Sequence, residues 1–304
     1  RWNGLLSLAI FAVLILRWPL RRVFGAQIAC RTWWLVPAIG LVSLLPSPTA
    51  PPIWVEAGVG STVTGSGQWL ERMAPTNDWQ GVVLFVWLLG AAVAAALAVH
   101  RQRRFRQRLG ALMATSDGYV KAASLRGGSP FVLGVWRPRI VVPVDIESRH
   151  DAGGLALILA HERAHVARRD PMVLLIAECL CSLFWFNPLV HLAQWALRRD
   201  QELACDERAL SGRAGWRRRY AETLLRAANS GEAAAGPCAW IGHGDLRQRI
   251  VQLQRTPPGP VRRTLGVLSL VTLIAVGMGA AWASGSRSAE LLVATQETYV
   301  IDAG

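Results

Sequence analysis

Two histidines and a glutamate lie within the stretch HERAH, and their spacing permits metal chemistry. His161 and His165 are four residues apart, so on a helix both rings project from the same face. Two imidazoles placed in this way can bind one zinc ion, and Glu162 is then positioned beside the remaining metal site to accept a proton from water. The stretch therefore predicts half of a catalytic zinc site.

The alternative is a solvated helix face that contains two histidines by chance. The residues directly before His161 are apolar, from Leu157 to Ala160, which indicates a helix entering a buried environment. The whole chain has six histidines, so a chance pair at this spacing is uncommon. Both observations favour the zinc site.

A catalytic zinc ion needs a third protein ligand and one open position. Four downstream candidates are Asp170, Glu178, His191 and Glu202. Glu202 is favoured because Asp206, four residues further on, shares its helix face. One carboxylate can then bind zinc while the other holds a histidine ring by a hydrogen bond. Asp170 has the competing role of a helix cap, and Glu178 and His191 lie within an apolar run.

The elements that carry these residues are helices. Residues 152–170 form one helix that contains HERAH and ends before Pro171. Residues 171–197 are apolar but broken at Asn187 and Pro188, which predicts two helices, and 198–210 continue as a polar helix. Before them, the run SPFVLGVWRPRIVVPVDI predicts a β-hairpin. Residues 101–114 are basic and amphipathic and predict a helix lying along the membrane surface.

Four apolar runs indicate a membrane protein: residues 4–16, 33–45, 79–99 and 265–284. The fold class predicted is mainly α, with four transmembrane helices and a helical zinc peptidase domain that contains the hairpin. The predicted membrane segments are 1–46, which holds transmembrane helices 1 and 2, 79–99 for transmembrane helix 3 and 264–284 for transmembrane helix 4. Between and after them lie an extracytoplasmic linker (47–78), a cytoplasmic domain (100–263) and an extracytoplasmic tail (285–304). Because the chain begins with Arg1, we expect a fragment.

The net charge of +13 is explained mainly by topology. Arginines cluster between the first two apolar runs and directly after the third, whereas residues 47–78 carry three acidic residues and only Arg72. Basic loops stay cytoplasmic, which orients the chain and predicts contact with membrane lipid instead of direct binding to nucleic acid. The five cysteines imply no disulfide framework.

HERAH, followed by RRDP, FWFNPLVH and ELACDE, resembles the BlaR/MecR family of integral-membrane zinc metallopeptidases, the antirepressors of bacterial β-lactam resistance. The hairpin stretch is also similar to that family. The resemblance implies a gluzincin-like domain in the bacterial inner membrane, with zinc bound by His161, His165 and Glu202. It implies Glu162 as the catalytic base and Asp206 as the support of a ligand. The implied substrate is a cytoplasmic repressor or the protease itself, within residues 230–260.

The chain departs from the family pattern at one point. Members that sense β-lactams carry a penicillin-binding domain after the fourth span, where only residues 285–304 remain. Twenty residues are too few to fold into such a domain. We therefore expect a relative or fragment without this sensor.

Three other functions fit part of the sequence pattern. A quality-control protease of the HtpX type shares the Glu-x-x-x-Asp arrangement and remains the nearest enzymatic alternative. A non-catalytic signal transducer would keep the ligands without needing Glu162. A transporter is disfavoured because the apolar runs carry no ionisable group in their interiors. The donor that would stabilise an oxyanion stays open between Tyr220 and His243, and the oligomeric state stays undetermined.

Overall fold

The structure is a computed structural model that describes residues 2–43, 45, 79–115, 117–126, 128–229 and 243–301. The predicted linker, 47–78, lies outside the described residues, and so does the first part of the predicted self-cleavage region, 230–242. The described residues are mainly helical with a small four-stranded sheet. Their α-helices are α1 (Trp2–Phe24), α2 (Ala26–Arg31), α3 (Leu35–Val42), α4 (Trp79–Arg108), α5 (Ile146–Arg149), α6 (Ala152–Arg168), α7 (Asp170–Leu183), α8 (Pro188–Ala209), α9 (Arg217–Asn229), α10 (His243–Leu253) and α11 (Pro260–Ile301).

Three segments are long and apolar enough to cross a membrane: Asn3–Phe24, Trp79–Arg108 and Pro260–Ala283. Among the described residues, three of the four predicted transmembrane helices are therefore long apolar segments. The second apolar run belongs to a shorter apolar segment, Ala26–Val42, in which α2 and α3 are joined by a 3-10 turn. Helix α1 continues to residue 24 and the chain turns at Gly25, whose φ of 94° favours glycine.

Helix α4 continues well beyond the predicted span. It runs unbroken for 30 residues, so the separate surface helix expected over 101–114 is wrong. The arginine-rich stretch has good helix propensity and contains no glycine or proline before Gly110, where φ is 64°. The chain then enters a strand at Leu112 instead of continuing as helix.

The predicted hairpin is confirmed, and it is part of a larger sheet. Strands β3 (Phe131–Leu133) and β4 (Arg139–Pro143) pair antiparallel. Two further strands, β1 (Leu112–Ala114) and β2 (Val120–Ala122), give the order β1-β2-β4-β3, with β2 and β4 parallel. Apolar side chains of β4 pack with Leu159 of α6. The sheet therefore supports α6 two residues before His161.

The junctions between α6, α7 and α8 follow the predicted breaks. Asp151 caps α6 by accepting a hydrogen bond from the backbone of Gly154 at 3.3 Å. Arg169 ends α6 with a φ of 56°, and α7 begins at the next residue. Asn187 caps α8 in the same way as Asp151, accepting from the Leu189 backbone at 2.9 Å. The predicted polar helix over 198–210 is the second half of α8.

Candidate metal centre

Helices α6 and α8 bring three metal-binding side chains together. The Nε2 atoms of His161 and His165 lie 3.2 Å apart. Glu202 of α8 approaches both rings, with Oε2 3.4 Å from Nε2 of His161 and Oε1 3.5 Å from Nε2 of His165. These side chains are the two predicted histidine ligands and the favoured third ligand.

The spacing of these atoms fits zinc. Bonds of about 2.0–2.1 Å in a tetrahedral site place neighbouring ligand atoms about 3.3 Å apart. The three distances, 3.2, 3.4 and 3.5 Å, lie close to that value. Two imidazoles and one carboxylate are also the ligands of catalytic zinc sites, which keep a fourth position open. The residues present therefore fit the ion that the sequence predicts.

The far side of His161 is held by a buried network. Its Nδ1 lies 3.0 Å from Oδ1 of Asp206 and 2.9 Å from the hydroxyl of Tyr220. Tyr220 donates to the same Asp206 oxygen at 2.6 Å. Arg249 of α10 donates to both oxygens of Asp206, at 2.7 and 2.8 Å, and its third nitrogen lies 3.1 Å from Glu202. Arg249 thus connects the support of His161 to the third ligand.

The far side of His165 has its own carboxylate. Nδ1 of His165 lies 2.8 Å from Oδ2 of Asp170, the first residue of α7. Arg168 donates to Asp170 at 3.2 Å, and the thiol of Cys205 donates to it at 3.4 Å. Arg168 also donates to the sulfur of Cys30 at 2.8 Å. Asp170 therefore contacts the back of His165, whereas Glu202 approaches the front.

These contacts determine which nitrogen of each ring is free. A ring whose Nδ1–H donates to a carboxylate presents the lone pair of Nε2 on its other side. The two Nε2 atoms face each other at 3.2 Å beside a carboxylate. Such electron-rich atoms repel one another unless a proton or a metal ion lies between them. The arrangement is therefore built to hold a cation.

The acidity of the ligands agrees with this geometry. Burial lowers the pKa of His161, but hydrogen bonds to Asp206 and Glu202 outweigh it and raise the pKa above the ordinary value. Burial also opposes the charged form of His165, yet Cys205, Asp170 and Glu202 hold its pKa well above the usual range. For Glu202, burial is outweighed by Arg249 and the two rings, and its pKa lies well below normal. The centre attracts positive charge and keeps its carboxylate ionised.

Glu162 lies between the two histidines in sequence and is 7% exposed. Burial is the main cause that raises its pKa, and the neighbouring His161 and His165 act in the opposite direction. A carboxylate with a raised pKa accepts and returns a proton more readily near neutral pH than an ordinary glutamate does. Its chemistry suits the predicted role of base.

The remaining candidates lie elsewhere or serve other purposes. Glu178 pairs with Arg101 at 3.0 Å and accepts from Gln194, and the ring of His191 contacts the backbone oxygen of Trp185 at 3.0 Å. Tyr220 is 1% exposed and lies behind His161, so its hydroxyl supports Asp206. His243 begins α10, and its side chain lies outside the described residues.

Sequence reasoning missed Arg249 and assigned Asp170 no certain role. Glu202 and Asp206 are two carboxylates on one helix face, and their burial requires a balancing cation. The two carboxylates therefore predict, from the sequence, that a lysine or arginine packs against them. However, the chain has 33 lysines and arginines, and Arg249 lies 43 residues from Asp206. The sequence therefore predicts that a basic residue balances these carboxylates, but it does not identify which one.

Comparison with known proteins supports the same chemistry. The sequence profile of the BlaR1 peptidase M56 family matches residues 5–253. The regulatory protein BlaR1 of Bacillus licheniformis is 36% identical over 78 residues, which are 26% of this chain and 13% of that protein. The methicillin resistance mecR1 protein of Staphylococcus aureus strain Mu50 is 21% identical over 152 residues, 44% of this chain and 26% of that protein.

The matched segments thus span about an eighth and a quarter of these two relatives. The family profile, in contrast, covers most of the chain and includes every residue of the metal centre. The resemblance seen in the sequence motifs is confirmed. This chain belongs to the BlaR1 peptidase M56 family, whose members are signalling metalloproteases.

Proposed function

We propose that this protein is a zinc metalloendopeptidase in which His161, His165 and Glu202 bind the metal. The observation that carries the proposal is the convergence of two Nε2 atoms and a carboxylate at distances suited to one ion. The ligand set, two histidines and a glutamate from a following helix, is that of a gluzincin. The buried carboxylates Asp206 and Asp170 hold the two rings from behind.

The side chains have separate tasks in this mechanism. Zinc, when bound, polarises the scissile carbonyl and lowers the pKa of water at the open position. Glu162 accepts a proton from the attacking water and passes it to the leaving amine, a role favoured by the raised pKa of its buried carboxyl. Asp206 and Asp170 keep each Nδ1 protonated, so that Nε2 faces the metal. Arg249 keeps Glu202 ionised through their 3.1 Å contact.

The proposed setting is the bacterial inner membrane. The arginines that end α1, follow the apolar part of α4 and begin α11 support a cytoplasmic position for residues 100–263. On this side the enzyme meets cytoplasmic proteins. We therefore propose a cytoplasmic regulator, of the transcriptional repressor type, or the chain itself as substrate.

The test uses the full chain in lipid vesicles, as wild type and as Glu162→Gln. Both are incubated with a library of peptides from a digested bacterial proteome, and new amino termini are identified by mass spectrometry, with and without a zinc chelator. We expect chelator-sensitive cleavage by the wild type and a loss of about 100-fold or more in Glu162→Gln. Equal cleavage by both proteins would contradict the role of Glu162.

Two further outcomes separate the alternatives. If the wild type binds zinc but cuts nothing, while Glu162→Gln still transmits its signal in cells, the protein is a non-catalytic transducer. A second assay replaces the peptides with intact proteins, unfolded membrane proteins and folded cytoplasmic regulators. If the enzyme degrades many of the former and none of the latter, its function is quality control of the HtpX type. Cleavage restricted to one regulator or to the chain itself supports the signalling role.

A further inference from the structure

A cavity of about 290 Å³ is lined by arginines and lies where α1 and α11 meet. Its walls include six arginines from four parts of the chain: Arg21, Arg22, Arg217, Arg255, Arg262 and Arg263. Two pairs occupy the ends of candidate spans, since Arg21 and Arg22 end α1 and Arg262 and Arg263 lie at the start of α11. The cavity therefore lies at the level where two apolar helices leave the membrane.

Two glycines allow this convergence. A side chain at Gly266 of α11 would come within 2.9 Å of Phe24 at the end of α1, so the two helices touch there. A side chain at Gly25, whose φ is 94°, would come equally close to the ring of Pro258 and to the carboxylate of Glu207. These contacts place the two arginine pairs around one cavity.

Glu207 interacts electrostatically with Arg263, so carboxylates balance only part of the positive charge of the cavity. Its two carboxylates are already engaged: Asp206 accepts two bonds from Arg249, and Glu207 accepts from the backbone of Ala26 at 2.6 Å and from Gln27 at 3.3 Å. Of the six arginines, only Arg21 pairs with a carboxylate among the residues that the structure describes, that of Asp200 at 3.6 Å. The cavity thus presents an excess of guanidinium groups.

A tryptophan marks the depth of the site. The guanidinium of Arg22 lies over the ring of Trp18, 3.4 Å from its centre, and that ring is 50% exposed. Exposed tryptophans are enriched at the level of lipid headgroups. Basic pockets between membrane helices on the cytoplasmic side bind anionic headgroups, and guanidinium groups recognise phosphate by paired hydrogen bonds.

We propose that this cavity binds the phosphate of an anionic phospholipid headgroup. The ligand chemistry is a phosphate mono- or diester surrounded by guanidinium groups, with the acyl chains alongside α1 and α11. Binding requires neither zinc nor peptide hydrolysis, so the proposal is independent of the proposed function.

The test measures lipid bound to the full chain by native mass spectrometry in detergent, titrated with phosphatidylglycerol or with phosphatidylcholine. The test variant is Arg262→Gln with Arg263→Gln. The matched control is Arg103→Gln with Arg104→Gln, two exposed arginines that follow the apolar part of α4. Circular dichroism checks that each variant is folded. In a further measurement, millimolar inorganic phosphate is added to wild-type protein with bound lipid, to test whether free phosphate displaces it.

We expect the wild type to bind phosphatidylglycerol in preference to phosphatidylcholine. The test variant should lose at least about tenfold in affinity, because each basic residue near an anionic surface contributes a factor of about five. The control variant should bind as the wild type does, and phosphate should not displace the lipid. Equal loss in both variants, or loss in neither, would overturn the cavity as a specific site. Displacement of the lipid by phosphate would contradict the proposal of a lipid ligand and would indicate a soluble phosphate ligand.

Discussion

The two histidines of the metal centre are held by similar groups that the fold assembles in different ways. Each ring donates from Nδ1 to a buried aspartate, and each aspartate is paired with an arginine. For His165, Asp170 and Arg168 lie within five residues of the ring at the junction of α6 and α7. For His161, the aspartate comes from α8 and the arginine from α10.

This difference separates local from long-range support. The His165 side forms once α6 ends and α7 begins, because its charged groups are close in sequence. The His161 side forms only when α8, α9 and α10 have packed together, since Asp206, Tyr220 and Arg249 come from these three helices. The His161 side is also bound more closely, with both oxygens of Asp206 bonded to different nitrogens of Arg249. We therefore expect it to contribute more to the stability of the fold.

The largest expected effect is on stability. Asp206→Asn leaves Arg249 buried with only Glu202 as a charged partner, and breaking a buried pair costs about 3–5 kcal/mol of unfolding free energy. Asp170→Asn should cost less, about 1–3 kcal/mol, because its bonds to Arg168 are longer and Arg168 keeps its contact with Cys30. Thermal unfolding of the detergent-solubilised chain measures both. An equal or larger loss in Asp170→Asn would contradict the comparison.

Asp206→Asn and Asp170→Asn should lose zinc affinity to a similar extent. Removing the carboxylate behind a metal-binding histidine weakens affinity about 10- to 100-fold, whichever ring it supports. Competition with a zinc-binding dye measures this on folded protein. Asp200→Asn is the matched control, since Asp200 is a buried carboxylate of α8 that pairs with Arg17 and Trp33 instead of the metal centre. A similar loss of affinity in the control would show that only general destabilisation was measured.

The third effect is on pH dependence. Acidic neighbours raise the pKa of both histidines above the ordinary value of 6.5. In the metal-free protein each ring therefore stays protonated at pH values somewhat above 6.5, and the proton on Nε2 must leave before that atom binds zinc. Zinc affinity should therefore increase with pH and still be increasing above 6.5. In Asp170→Asn, one of the groups that raise the pKa of His165 is removed, so the increase should end at a lower pH. Titrating zinc affinity against pH in both proteins tests this, and identical profiles would argue against the role of Asp170.

The smallest effect is expected for Tyr220→Phe. The hydroxyl of Tyr220 donates to Asp206, but Arg249 retains both of its bonds, so the loss should be about 1 kcal/mol of stability with zinc content unchanged. Tyr119→Phe serves as control, because this buried tyrosine contacts Glu147 away from the metal. Loss of zinc in Tyr220→Phe alone would show that the hydroxyl is needed to orient His161.

Sequence spacing predicted the part of the centre that lies on two helices. His161 with His165, and Glu202 with Asp206, are pairs four residues apart, so each pair shares a face once its helix forms. Arg249 could not be predicted, because its contact with Asp206 depends on how α10 packs on α8. Asp170 is both the first residue of α7 and the carboxylate that contacts His165. It takes both roles because the chain turns at Arg169.

The fold was predicted to a similar extent. The break before Pro188 and the hairpin β3–β4 carry local signals, a helix-breaking proline and two short β-rich runs around a turn. Strands β1 (LMA) and β2 (VKA) contain no run of β-branched residues, and β2 joins the hairpin only by parallel pairing with β4, Val120 beside Val141. The composition of the second apolar run does not show that the chain turns at Gly25, so the length of this segment, Ala26–Val42, was not predicted.

The zinc content of the purified full chain tests the central claim most directly. It should be measured by elemental analysis for the wild type, Glu202→Ala and Glu162→Gln under identical conditions. We expect about one zinc ion per wild-type chain, loss of most of it in Glu202→Ala, and retention in Glu162→Gln. If none of the three folded proteins holds zinc, or if Glu202→Ala keeps it fully, the centre formed by His161, His165 and Glu202 is not the metal site of this protein.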